Sequence, residues 1–409
     1  MSAPPADMSN TSATDPPVVI LSGGVTALGV LRAFGRRAVP TFVHPDTSES
    51  LRFSRWYRPL LKSSRSSSLP KPSVQGLVDV LAQSGLQGGF LCACSDDWNR
   101  VVSEFAEKRD PRFPSMVPTR AALDRLQAKD SLAHLLQELE VPMPMTRMVR
   151  SSDDVRDLPV SGETFYFLKP ADSQSFQVRF GTKGMRVRNA DEACERLEQI
   201  TAAGLTVVLQ EYIPGDSSQH YFVDGYVDRH GVVRALFARR RLRIYPPDFG
   251  NSTAMISVAL ADVAQAVDSV RRVLGAVAYR GIFSAEFKRD PRDANFKLLE
   301  VNTRPWWFID FAVRCGVDVC RMTYDDALDR AVESVMEYKL GATCIYPYYD
   351  FFAAQPLLRS GRLSWGQWAK ELLPALQPVG CWDDPLPGAM GFGRVVTSAI
   401  RNRLRPPTT

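Results

Sequence analysis

The sequence has no C-x-x-C pair and no histidines at metal-ligand spacing. Its seven cysteines stand at 92, 94, 194, 315, 320, 344 and 381, and its four histidines at 44, 134, 220 and 230. An odd, scattered set of thiols argues against a disulfide framework or a zinc site, and for a reducing, cytoplasmic compartment. Charge of one sign is equally scarce. Fifty Lys+Arg against 45 Asp+Glu leave +5 over 409 residues, weak for a nucleic-acid binder of this size, so no nucleic-acid partner is expected. No apolar run reaches the ~18 residues of a membrane helix. The opening MSAPPADMSNTSATDPP lacks a basic n-region and an apolar h-region, so residues 1–16 read as a disordered polar leader and no membrane partner is expected. The basic end AIRNRLRPP reads as a solvated terminus, and no internal repeat is visible.

What remains is enough chain for two or three domains with large cores. PPVVILSGG is a buried-type strand running into glycines, ALGVLRAFGRRAVP a helix, and TFVHP a second strand. This βαβ opening implies a parallel, doubly wound α/β domain over 17–114. GGFLCACSDDWNRVVSEFAEK repeats the scheme, with Ser95-Asp96-Asp97 opening the helix. Loops after the strands, near Gly23-Gly24 and Ser95-Asp96-Asp97, form the edge where a ligand is expected. KSSRSSSLPKPS (62–73) reads as a solvated loop, and PTRAALDRLQAKDSLAHLLQELEVPMP as two short helices at the seam. Beyond it the pattern turns antiparallel, in FYFLKP, TVVLQEYIPG and HYFVDGYVDRHGVVRALFARRR with a turn at DRHG. The second domain, 115–330, is therefore α+β. An aromatic, helical extension follows over 331–409.

Within GIFSAEFKRDPRDANFKLLEVNTRPWW, a hairpin folded about Asp293 makes Glu286 and Glu300 cross-strand neighbours, each seven residues from Asp293. Alternation then puts Phe283, Ala285, Phe287, Leu299 and Val301 on one apolar face, and Glu286, Glu300 and Asn302 on the other. A one-residue slip or a bulge would alter this pattern. Two opposed carboxylates repel, and a divalent cation that both can bridge relieves the repulsion. Mg²⁺ suits one or two carboxylates plus phosphate oxygens, and the Asn302 amide adds a hard ligand. Arg304, on the same face by parity, would meet a transferring phosphoryl group. A solvent-facing hairpin with charges serving only solubility would carry the same residues.

Other segments bear on the choice. Lys169 ends the strand FYFLKP, held extended by Pro170, before a polar, Gly-containing loop long enough to cover a phosphate. Gln210-Glu211-Tyr212-Ile213 ends another strand and can offer a carboxylate and a backbone amide to a purine edge. Arg239, Arg241 and Arg243 alternate on one strand face, a row that suits anionic oxygens of a triphosphate or a substrate carboxylate. His220 reads as an ordinary strand histidine. Trp306 and Trp307 could shape an acid pocket or simply pack.

These pieces in this order resemble the ATP-grasp superfamily over roughly residues 115–325. Lys129 opens a helix before VPMPMT; then come Lys169, a Gly-containing loop, LQEYIPG, SAEF and LLEVNTR. The resemblance implies ATP and Mg²⁺ as cofactors. It makes Lys129 and Lys169 phosphate ligands, Gln210, Glu211, Tyr212 and Ile213 the adenine-side strand, and His220 a polar ribose contact. Glu286, Glu300 and Asn302 become the magnesium ligands, with Arg304, Arg241 and Lys169 as the catalytic cations. Residues 171–184 would close over the nucleotide. The segment YPPDFGNST and the C-terminal extension resemble carboxylate–amine ligases of the D-aspartate-ligase type. The implied reaction joins a small carboxylate to an amine through an acyl phosphate. A thiol acceptor, a released phosphorylated product and a non-catalytic nucleotide-binding regulator are the alternatives, and a homodimer is an open assembly.

Overall fold

The computed structural model describes residues 15–44, 51–61, 72–107, 110–156, 165–170, 173–182, 184–247 and 250–391. Most of the expected leader, most of the 62–73 loop and the basic C-terminal segment lie outside them. Asp15 and Pro16, read as part of the leader, are held instead: Asp15 pairs with Arg330 at 2.6 Å, and the Pro16 carbonyl accepts from Tyr324 Oη at 2.6 Å.

The first unit begins with β1 (Val18–Leu21), four buried aliphatic residues, followed by α1 (Gly24–Gly35) and β2 (Thr41–Val43). After α2 (Val74–Ser84) come β3 (Phe90–Ala93) and α3 (Asp96–Glu107). The strands form a parallel sheet in the order β2-β1-β3. Asp96 and Asp97 stand in the first turn of α3, where acidic side chains oppose the helix dipole favourably. The seam holds α4 (Arg120–Gln127), capped by Thr119, and α5 (Lys129–Glu138), separated by Ala128 alone in extended conformation.

A small antiparallel sheet comes next, from β4 (Thr146–Val149), β5 (Tyr166–Pro170), β6 (Met185–Val187) and β7 (Val207–Glu211), in the order β4-β7-β5-β6. It carries α6 (Ser173–Phe180) and α7 (Ala190–Ala202) over a core that includes Leu168, Phe176, Leu197, Ile200 and Leu209. Residues 173–180 are thus helical, not part of the open loop that the polarity of 171–184 suggests. Phe176, fully buried against Phe180 at 4.8 Å between ring centroids, anchors a helix there.

The large sheet collects β8 (His220–Val227), β9 (Val233–Tyr245), β10 (Asn251–Val258), then, after α8 (Ala264–Ala276), β11 (Gly281–Arg289) and β12 (Phe296–Asn302). Two helices, α9 (Ile309–Arg314) and α10 (Val319–Ala327), precede β13 (Thr343–Ile345), α11 (Pro347–Arg359) and α12 (Trp365–Leu372). The strand order is β12-β11-β8-β9-β10-β13. The extension therefore contributes an edge strand as well as helices, which its aromatic composition did not suggest.

In the β11–β12 hairpin, Ser284 pairs with Asn302, Ala285 with Val301 and Glu286 with Glu300; the register then shifts, and Phe287 pairs with Leu298. Leu299 is the extra residue of a bulge. It is only half-buried, and Leu298, at 1% exposure, takes the core position expected for Leu299. The bulge lets Phe296, Leu298 and Val301 reach one core with α8, which an unbroken period-two strand could not do.

One continuous core includes β1 and α1 residues of the first unit, Phe222, Phe237 and Met255 of the large sheet, α9 and α10, and Cys344 of β13. One buried and one half-buried arginine reinforce it. Arg32, fully buried, donates to the Asp384 carboxylate (2.9 Å) and to the Val379 carbonyl (2.7 Å), and Arg36 binds Asp310 and Asp383. All seven cysteines are free thiols. Among the described residues, no helix is long and apolar enough to cross a membrane.

Candidate active site

Glu286 lies on β11 between its neighbours β8 and β12, and its Oε1 gathers two partners. His220 Nδ1 is 2.8 Å away and Arg241 Nη2 donates at 3.0 Å, while Arg241 Nε is fixed on Ser252 Oγ at 2.8 Å. Burial alone would raise the Glu286 carboxyl. The charges of Arg241 and Lys169 and the bond and charge of His220 outweigh it, holding the group down at about 2. Burial in turn lowers His220 and Arg241, against the pull of Glu286.

The alternating arginines do share one buried face, yet they do not form a free anionic cradle. Arg239 is paired with Asp224 at 2.6 Å, and Arg243 with Asp350 at 2.8 Å and Glu371 at 2.6 Å. Such side chains cannot be left uncompensated in a buried sheet face, so the fold supplies a carboxylate for each. Arg241 alone of the three turns toward Glu286.

Glu300 opens to solvent within the cleft. Its carboxyl is raised, first because the cleft walls strip hydration from it and next because of the charge of Glu286. Asn302 Nδ2 donates to Glu300 Oε1 at 3.2 Å, and Asn302 Oδ1 accepts from Arg304 Nη2 at 3.4 Å. Arg304 Nη2 also donates to Asp96 Oδ2 of α3 at 3.0 Å. Thr303 is pinned from the same helix by Asn99, whose Nδ2 donates to the Thr303 carbonyl at 2.6 Å.

On the opposing small sheet, Lys169 Nζ donates to Gln210 Oε1. Burial lowers Lys169, while Glu300 and Glu286 pull it up, so its charge lies within reach of both carboxylates. Lys129 Nζ donates to the carbonyl of Pro170, the next residue along. Glu211 is bound by Arg292 at 2.6 Å and accepts from the Met145 amide at 3.3 Å. Tyr212 packs its ring against Phe167 and beneath Lys288 Nζ, 4.2 Å from the ring centre, and Ile213 is buried.

Among the described residues no group of three or more His, Cys, Asp or Glu side chains gathers as a metal cage. The donor set is two carboxylates and an amide oxygen on one hairpin, all hard oxygens, with the basic side chains of Lys169, Arg241 and Arg304 near. It fits a Mg²⁺ ion that completes its shell with phosphate oxygens and water.

No family model matches the chain. It is 26% identical over 247 residues to a D-aspartate ligase from Enterococcus faecium (strain Aus0004), a match covering 58% of each protein. The chain thus spans less than two thirds of that relative's length. A biotin carboxylase–β,γ-ATP complex from Campylobacter jejuni superposes with a TM-score of 0.61 at 18% identity, over 80% of this chain and 74% of that one. An L-amino acid ligase from Bacillus licheniformis superposes with a TM-score of 0.57 at 14% identity, over 81% and 79%. The chain therefore shares the fold of these two enzymes.

In this fold, the sequence-expected residues converge on one cleft. Glu286, Glu300, Asn302, Arg304, His220 and Arg241 come from the large sheet, and Lys169 and Gln210 from the small one, with Lys129 beside Pro170. His220 is placed on Glu286. Glu211 is engaged by Arg292. Of the residues sequence reasoning missed, Lys288 could have been found, since it sits two positions after Glu286 on the same strand face. Its Nζ reaches the Gly215 carbonyl at 2.9 Å. The partner of Arg304 could not have been found this way, because Asp96 is 208 positions distant.

Proposed function

We propose that this chain is an ATP- and Mg²⁺-dependent ligase that activates a small carboxylate as an acyl phosphate and joins it to an amine. The observation that carries the reading is the Glu286–Glu300 rung with Asn302 on the same edge, faced by Lys169, Arg241 and Arg304. The E. faecium relative makes an aspartate-type acid the first candidate.

Glu286, Glu300 and Asn302 would hold the Mg²⁺, which when bound supplies charge neutralisation and alignment for in-line phosphoryl transfer. His220 and Arg241 keep Glu286 ionised and fixed through Oε1, so the carboxylate is preorganised rather than recruited. Lys169, held by Gln210, and Lys129 spread the charge of the transferring group. Arg304 orients the acid. One carboxylate oxygen attacks the γ-phosphorus as the bond to ADP breaks; the amine nitrogen then attacks the acyl carbon, phosphate leaves, and the ammonium proton passes to solvent. Residues of β7 through Ile213, with an apolar wall from Tyr212 and Phe167, would take the adenine.

The test is ADP release from the full chain over pairs of carboxylic acids and amines. ADP formation that requires both substrates and yields an amide supports the ligase. ADP formation with acid alone, at undiminished rate, would assign a kinase, and a Glu300→Gln protein with full activity would refute the site.

A further inference from the structure

We infer that Asp96 is the ammonium-binding group of the acid subsite, so that the acid this chain activates is an amino acid whose carboxylate takes Arg304 over from Asp96. The inference rests on the ligase reading and extends it to substrate class.

Arg304 and Asp96 come from different units and meet at the mouth of the cleft. Nη2 donates to Oδ2 at 3.0 Å; Nε also lies 3.0 Å from Oδ1 but is not aligned for a hydrogen bond and, though buried, has no acceptor among the described residues. The Asp96 side chain is 47% exposed, so the contact is an open, half-formed fork. A guanidinium reaches full strength with a carboxylate only when both prongs engage. Two further buried donors follow directly, the indole Nε1 groups of Trp306 and Trp307, again without acceptors among the described residues. Buried donors are rarely left unsatisfied, and the Arg304 Nε, already beside Asp96, is the one of the three that a second anionic oxygen at this contact would engage.

A substrate carboxylate that forks onto Arg304 displaces Asp96, whose charge then stands beside it. For a des-amino acid the result is two neighbouring anions. For an amino acid, the ammonium one or two carbons from the carboxylate falls to Asp96, and every charge has a partner. The arrangement therefore selects for zwitterions, and Asp96 closes Arg304 when no acid is bound.

Titration calorimetry on the full chain with Mg²⁺ and a non-hydrolysable ATP analogue tests this, using aspartate and succinate, glutamate and glutarate, and alanine and propionate. The wild type should prefer the amino acid of at least one pair by about tenfold or more, the scale of one like-charge contact in a partly exposed site. Asp96→Asn should erase that preference by weakening the amino acid while leaving the des-amino acid equal or tighter, and Asp96→Glu should retain part of it. A wild type that favours no amino acid, or an Asp96→Asn protein that loses both members of a pair equally or neither, overturns the inference. Circular dichroism confirms that each variant is folded. The two readings fail separately: amino-acid binding without coupled ADP release removes the ligase and leaves the subsite, while intact turnover with an indifferent Asp96→Asn removes the subsite alone.

Discussion

At the rung where Glu286 faces Glu300, one residue type is driven in two directions by its neighbours. Glu286 is held down by Arg241 and His220 against its burial, and Glu300 is pushed up by its lost hydration and by Glu286. The stability consequences have opposite signs. The depressed Glu286 contributes stability that is present above its unfolded value and lost as pH falls toward about 2. The raised Glu300 favours the fold when protonated, a contribution lost as pH rises through its folded value, so its ionised form costs stability at neutral pH. Without metal or nucleotide, Glu300→Gln should therefore raise the melting temperature near pH 7 by about 1–2 °C, discounted for its exposure, with the gain vanishing near pH 4. Glu286→Gln should lower it at pH 7. Both should cut ADP formation by about a hundredfold or more, since each removes a hard ligand from the same site. A higher melting temperature for Glu286→Gln would contradict the assignment. This rung was legible in the sequence because its partners lie within one hairpin and alternate with apolar residues. The acidities were not, for they depend on His220, Arg241 and Lys169, which come from other strands.

Elements were legible where periodicity governs and obscure where one buried side chain does. The parallel opening, the seam helices and the long antiparallel ribbon follow from apolar alternation and turn residues. The helix α6 does not: polar residues dominate its segment, and Phe176, with Phe180 beside it, ties it to the small sheet. Phe176→Ala should remove that anchor, at a local cost of about 3–5 kcal/mol. The small sheet with its α6 cover is the part that would close on nucleotide, so the KM for ATP should rise by about tenfold while the first unit keeps its stability. Hydrogen exchange would show the loss confined to residues 165–211; protection lost equally in β1 and β3 would argue against a separable element. The place of the bulge at Leu299 is not legible in the sequence for a related reason. Alternation places Leu299 inward, but the core needs both Leu298 and Val301, and only the three-dimensional packing of α8 shows it.

Over the whole molecule, the C-terminal extension acts as a strap. It adds β13 to the large sheet, brings Asp350 under Arg243, and returns Asp384 to Arg32 in the first unit, 352 positions away. Composition alone signalled an aromatic appendage, and nothing in it announced these carboxylates, whose partners are buried arginines in other units. Both are themselves almost fully buried. Removing one member of such a pair leaves an unpaired buried charge, worth about 3–5 kcal/mol, whereas an exposed pair is worth about 1 kcal/mol or less. Asp384→Ala, which leaves the buried Arg32 charge with only the backbone carbonyls of residues 378, 379 and 384, should therefore destabilise the first unit and the extension together. Calorimetry should show one transition shifted down by several degrees, and removing residue 343 onward should prevent soluble folding, because β10 becomes an open edge and Arg32 and Arg243 both lose their carboxylates. A truncated chain that folds and still shows the wild-type melting temperature would mean that the strap is dispensable and that the first unit's contacts with α9 and α10 suffice.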